Sequence, residues 1–204
     1  MIQSLEKIEY LLEQKNITLP DLLKLRSKLN LPFRLHPLGF FACTLLTEGT
    51  RKLRLHYWPV AGATQQSPEC QIHDHLFEFR SWVLTGAIEN IEYIISSEGR
   101  ELAVYQTEYS GNQSTLSKMD FTLKLTEQKR KLYQAGSSYS MSAGVLHETV
   151  RLGSEPVFTV LVTNDVSTSA PVVLGPINGQ QQYIYERDIV QESVVVAMLA
   201  EAGY

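Results

Sequence analysis

The sequence predicts an all-β domain, an antiparallel sandwich or barrel, with helices added at both ends. Two observations predict it. Short runs of β-forming residues recur at intervals of roughly 8 to 15 residues with no helical pattern between them. Helical periodicity is confined to the first 30 residues or so and to the last 15 or so.

The N-terminal stretch places Leu5, Ile8, Leu11 and Leu12 on one helical face and Glu6, Lys7 and Glu13 elsewhere. A second helix is expected from Thr18-Leu19-Pro20-Asp21, which offers a cap, an early proline and an acid three residues on, and it should stop before Pro32. Phe40–Leu46 and Leu53–Trp58 then read as strands around a Glu48-Gly49 turn. Further strands are expected at Gln71–Phe79, Trp82–Ile95, Leu102–Tyr109, Phe121–Leu125, Tyr139–Met141, Leu146–Leu152 and Val157–Thr163. Ser167–Gln182, with Pro171, Gly175, Pro176 and Gly179, reads as a long loop over one end of the barrel, and Asp188–Ala202 as a final helix burying Ile189, Val195, Met198 and Leu199. The organisation expected is a helical extension over 1–35, a barrel over 36–187 and a helix over 188–204, in one domain.

Composition excludes several function classes. The 204 residues carry a net charge of −4, which gives no electrostatic reason for nucleic acid or an anionic membrane as partner. No apolar run approaches the length of a membrane span, and MIQSLEKIEY has no apolar signal core. Cys43 and Cys70 form neither a disulfide framework nor a zinc-type spacing, so a reducing cytoplasm and two small core residues are expected.

The chemistry sits in the histidines. In Gln71-Ile72-His73-Asp74-His75, residues two apart on a strand share a face with Cα atoms roughly 6.5 Å apart, close enough for two imidazoles to reach one metal. Alone, His-x-His is weak. A second segment, Gly136 to His147, reads as strand, turn and return strand, and can bring back a third imidazole. Together the two segments resemble the cupin motifs. The first is Gly, five residues, His-x-His, three or four residues, Glu, six residues, Gly; the second is Gly, five residues, Pro-x-Gly, two residues, His, three residues, Asn. Gly86 matches the end of the first, and Gly136, Gly144 and His147 match the second in register. Ser67, Ser142 and Arg151 replace the motif's glycine, proline and asparagine. Phe79 stands where the metal-binding glutamate belongs, while Glu78 is one residue off and should point away.

The resemblance implies a cupin double-stranded β-helix, or jelly roll, with one divalent metal on His73, His75 and His147. Imidazoles suit Fe, Ni, Cu or Zn; Fe(II) is the metal expected, with Mn, Ni, Cu or Zn as alternatives. The run Ile72–Gly86, IHDHLFEFRSWVLTG, resembles the thiol dioxygenases, which implies Fe(II), a small anionic substrate and O₂. Arg54, His56 and Trp58 share one face of their strand; if that face lines the barrel, Arg54 can clamp a carboxylate and His56 orient it. Arg151 should share the face of Thr149 and His147 as a second anion anchor. Tyr139 and Met141 alternate inward together, and Trp58, Phe79 and Tyr139 would hold a neutral or aromatic substrate. His36 is expected in a loop or cap. The function expected is a mononuclear non-heme iron oxygenase; a Lewis-acid isomerase, epimerase or lyase and a non-catalytic binding barrel are the alternatives. Exposed barrel edges and an apolar terminal helix favour a homodimer.

Overall fold

The structure, a computed structural model, describes residues 4–60 and 70–204. Helix α1 (Leu5–Glu13) starts where the Ser4 hydroxyl accepts the Lys7 N–H, and its apolar stripe buries Leu5, Ile8 and Leu12. Helix α2 (Leu19–Lys28) is capped by Thr18, whose N–H and hydroxyl both donate to the Asp21 carboxylate, at 2.9 and 2.6 Å.

The strands follow. They are β1 (Arg34–Leu35), β2 (Phe41–Glu48), β3 (Arg51–Trp58), β4 (Phe77–Thr85), β5 (Ala87–Ser110), β6 (Gln113–Gln134), β7 (Ser138–Met141), β8 (His147–Leu152), β9 (Val157–Asp165), β10 (Val172–Gly175) and β11 (Gln182–Glu186). Helix α3 (Glu192–Glu201) ends the chain. They build two antiparallel sheets. One runs β1-β2-β3-β9-β4-β7; the other runs β10-β5-β6-β11, with β8 also paired to β5. This is the all-β jelly roll that the cupin resemblance implies.

Alternation along β3 and β9 decides what faces where. Leu53, Leu55 and Tyr57 of β3 and Val160 and Val162 of β9 turn outward into one buried cluster with Leu5, Ile8 and Leu12 of α1, Leu22 of α2 and Val195 of α3. The helices are therefore the outer cover of the first sheet. The other face, with Arg54, His56, Trp58, Thr159, Leu161 and Thr163, is left to line the space between the sheets.

Several elements differ from the sequence reading. Gln71–Phe79 is not one strand: β4 begins at Phe77, and His73 makes only isolated bridges, to His147 and Val173. Trp82–Ile95 is broken at Gly86, whose φ of +63° suits glycine and where an added Cβ would meet Val157 Cγ2 at 2.6 Å. Leu102–Tyr109 is the second half of the 24-residue β5. The 22-residue β6 was largely missed, because most of its side chains are exposed and charged or polar and leave little periodic signal. The expected loop 167–182 contains β10, where Val172 and Val173 pair with β5. Ile189 lies before α3 and is exposed, not buried, with its backbone bridged to Arg34.

Candidate metal centre

β8 begins at His147, and its backbone exchanges both hydrogen bonds with His73, at 3.0 and 2.9 Å. His73 is held on its other side as well, where Asp74 N–H donates to the Val172 carbonyl and Leu174 N–H to the Ile72 carbonyl. The His75 carbonyl accepts the Gly144 N–H at 3.0 Å. The His-x-His segment is thus pinned between β8, β10 and the Gly144 turn, without being a regular strand.

Three imidazoles converge as a result. Ring centroids lie 4.8 Å apart for His73 and His75, 4.6 Å for His73 and His147, and 5.0 Å for His75 and His147. One ring nitrogen from each falls within 4.8 Å of the others. His73 Nδ1 is 2.7 Å from the Gln71 carbonyl and His147 Nδ1 is 2.9 Å from the Val145 carbonyl. A carbonyl only accepts, so Nδ1 must carry the proton in both rings and the Nε2 lone pair is free to ligate. Burial holds all three rings below the ordinary imidazole range, His147 down to about 3, and they repel one another's charge. They are neutral donors at neutral pH. This donor set fits a divalent transition metal.

Phe79 occupies the position of the motif's glutamate. Its buried ring lies 5.9 Å from His75 and 6.2 Å from His147. Glu78 points to the exposed face and accepts from Asn164 at 3.1 Å. Ser67 lies outside the described residues.

The histidines open onto a cavity of about 100 Å³ between the sheets. Arg54, His56, Trp58, Phe79 and Tyr139 all line it. His56 is pushed down to about 3 by burial and then by Arg54 and Arg187, and its ring packs 4.8 Å from Phe40. Burial pushes the Tyr139 hydroxyl up to about 12, against the opposing pull of Ser81 and Thr149 beside it, so it stays a donor. Arg54 lies over the Phe77 ring at 4.9 Å, and Phe77 in turn stacks 4.3 Å from His75. Arg54 Nε, Trp58 Nε1 and Ser81 Oγ are buried there with no hydrogen-bond partner among the described residues. No Asp or Glu lines the cavity among the described residues.

Arg151 is the exception. Its guanidinium donates to the carbonyls of Gly153, Glu155 and Val60. The strand alternation was read correctly for Thr149, which lines the cavity, but at the far end of β8 the long arginine side chain folds back onto the following turn. Two ionisable lining residues lie in no sequence motif, His36 and Arg187. His36 stacks on Phe40 at 4.1 Å and is not merely a loop residue. Arg187 follows β11, donates through Nε to Ser114 Oγ at 2.5 Å and lies over Tyr109 at 5.2 Å. All five histidines of the chain line this cavity.

No protein-family model and no curated protein matches the chain. Among solved structures that match, one described as crystal structures of the DMSP lyases RdDddP and RnDddQII is 13% identical, with a TM-score of 0.39, covering 83% of this chain and 77% of that one. A likeness at that level carries no chemistry across.

Proposed function

We propose that the chain is a mononuclear non-heme Fe(II) dioxygenase acting on a small acidic or polar substrate. The observation that carries the proposal is the donor set: three buried neutral imidazoles with an aromatic ring where a carboxylate ligand would stand. A site of that kind leaves a bound divalent metal with about two units of uncompensated charge and room for an anionic donor. When bound, iron supplies the one-electron steps that let triplet O₂ react with a paired-electron substrate.

The protein's own contribution is binding and orientation. Arg54 presents a guanidinium, unpaired among the described residues, to the same cavity, suited to a two-toothed grip on a carboxylate. Tyr139, protonated at neutral pH, donates from the side of Phe79, whose ring lies 5.8 Å away. Phe77 and Phe79 form the apolar wall that keeps water from the histidines.

The test is metal analysis of purified protein followed by O₂ uptake with small carboxylated thiols and other small acids. About one iron per chain with substrate-dependent uptake is the expected result. Stoichiometric zinc without uptake would move the site to Lewis-acid isomerase or lyase chemistry, and no stoichiometric metal would overturn the metal reading. His147→Ala is expected to lose the metal while remaining folded. Full occupancy in that variant would refute the ligand set.

A further inference from the structure

Arg187 raises a question that a single-carboxylate substrate does not answer. Two arginines, Arg54 and Arg187, line one cavity; burial lowers the proton affinity of both, and the charge of Arg187 lowers that of Arg54 further. Neither has a carboxylate within 4.0 Å among the described residues. Two acids in their surroundings are otherwise engaged. Asp165, which Arg54 feels, is bonded to Lys52 at 2.8 Å. Asp74 accepts the Val172 N–H at 2.6 Å.

Arg187 also lines a second chamber of about 60 Å³, which has His36, Leu38, His73, His75 and Arg187 in common with the first. That chamber adds Thr107, whose buried Oγ1 has no partner among the described residues. Arg187 is steadied by Ser114, which accepts from its Nε, and by the Tyr109 ring. Two like charges drawn from water around one cavity are costly unless anionic charge offsets them. One carboxylate gripped by Arg54 neutralises one of them.

We propose that the substrate carries two acidic groups, a small dicarboxylate or its equivalent, one held by Arg54 beside the histidines and the other by Arg187, which lines both chambers. This deepens the reading of the same cavity as a small-acid site. It predicts discrimination that a single anchor cannot give. Room for both acids comes from the two chambers together, so the spacing between the acids is part of the recognition.

Calorimetric titration of the full-length protein without O₂ tests it, with succinate, glutarate and adipate as diacids and butyrate as the single-acid control. The best diacid is expected to bind at least about 10-fold more tightly than butyrate. Arg187→Met is expected to weaken that diacid about 10- to 150-fold, toward the butyrate level, while butyrate binding stays as it was. Arg54→Met should weaken both. Equal affinities for diacids and butyrate in the unaltered protein, or an Arg187→Met loss that is the same for both, would overturn the proposal. The first comparison needs no variant and holds even if Arg187→Met fails to fold. Because the readout is binding without turnover, absence of O₂ uptake would sink the dioxygenase reading and leave this one standing. The diacid preference is expected to persist in His147→Ala; its loss there would mean that the metal and not Arg187 holds the second acid.

Discussion

Arg54→Met should make the empty protein more stable and the liganded one less so. Arg54 is a largely buried guanidinium with no carboxylate partner among the described residues; its Nε is an orphan, and desolvation lowers its pKa. Methionine keeps much of the apolar stem and removes the charge. Replacing buried ions by apolar residues of similar size stabilises by about 1–4 kcal/mol. Against this stands the contact with the Phe77 ring at 4.9 Å, which such geometry values at about 0.5–2 kcal/mol. The net expectation is a gain of about 1–2 kcal/mol, or a rise of about 2–8 °C in melting temperature for a chain of this size. With a bound acid at 100 times its dissociation constant, the unaltered protein gains about 2.7 kcal/mol that the variant forgoes. The two melting curves should therefore exchange order between ligand-free and ligand-saturated samples. Thermal denaturation followed by circular dichroism, with and without a saturating diacid, reads both halves. A ligand-free variant that melts below the unaltered protein would refute the claim that Arg54 sits uncompensated.

Three further outcomes follow from the same geometry. For the metal-free protein, stability should be full above about pH 7 and fall as pH drops below the unfolded imidazole value of about 6.5, because unfolded histidines take up protons that His56 and His147, held at about 3, refuse. These two alone remove about 2–3 kcal/mol between pH 7 and 5.5. His36, His73 and His75 shift the same way and steepen the fall. Urea midpoints at pH 7.5 and 5.5 measure it, and equal midpoints would contradict the neutral assignment. Glu78→Gln should leave metal content unchanged, since its carboxylate faces outward to Asn164; metal loss matching His147→Ala would make Glu78 a ligand. Gly86→Ala should cost about 1–3 kcal/mol, from the positive φ and the approach to Val157 Cγ2 and the Pro156 carbonyl; an unchanged melting temperature would mean that the turn yields freely.

What could be read from the sequence depended on how local the cause was. The cap at Thr18, the alternation of Arg54, His56 and Trp58 against Leu53, Leu55 and Tyr57, and the motif from Gly136 to His147 are all set by residues a few positions apart. Phe79 in place of a glutamate follows from counting the motif back from Gly86, and the outward Glu78 from strand alternation. His36 and Arg187 were missed because only tertiary contacts bring positions 36 and 187 to the same cavity, and neither sits in a patterned segment. β10 was missed because Pro171, Gly175 and Pro176 mark a loop, while the pairing that makes Val172–Gly175 a strand comes from β5, some 70 residues back. Arg151 shows the limit of alternation. It gives the side a residue leaves from, not where a long flexible chain ends.

The strand that carries no ligand governs the spacing of those that do. One edge of β5 pairs with β8 through Ala87 to Glu92, setting His147 opposite Glu92, and then with β10 through Ala103 to Gln106, setting Val172 opposite Gln106. His73 spans the two, bridged to His147 on one side and Val173 on the other. β5 therefore works as a ruler, and the length of chain between Glu92 and Ala103 is a dimension of the metal centre. An insertion or deletion there, far from any imidazole in sequence, would stretch or compress the ligand triangle unless the irregular stretch between Ile95 and Arg100, where the register with β6 already slips, absorbed the change. The longest of the three register slips along β5 lies between its two ligand-side pairings, where a change of length need not reach the histidines.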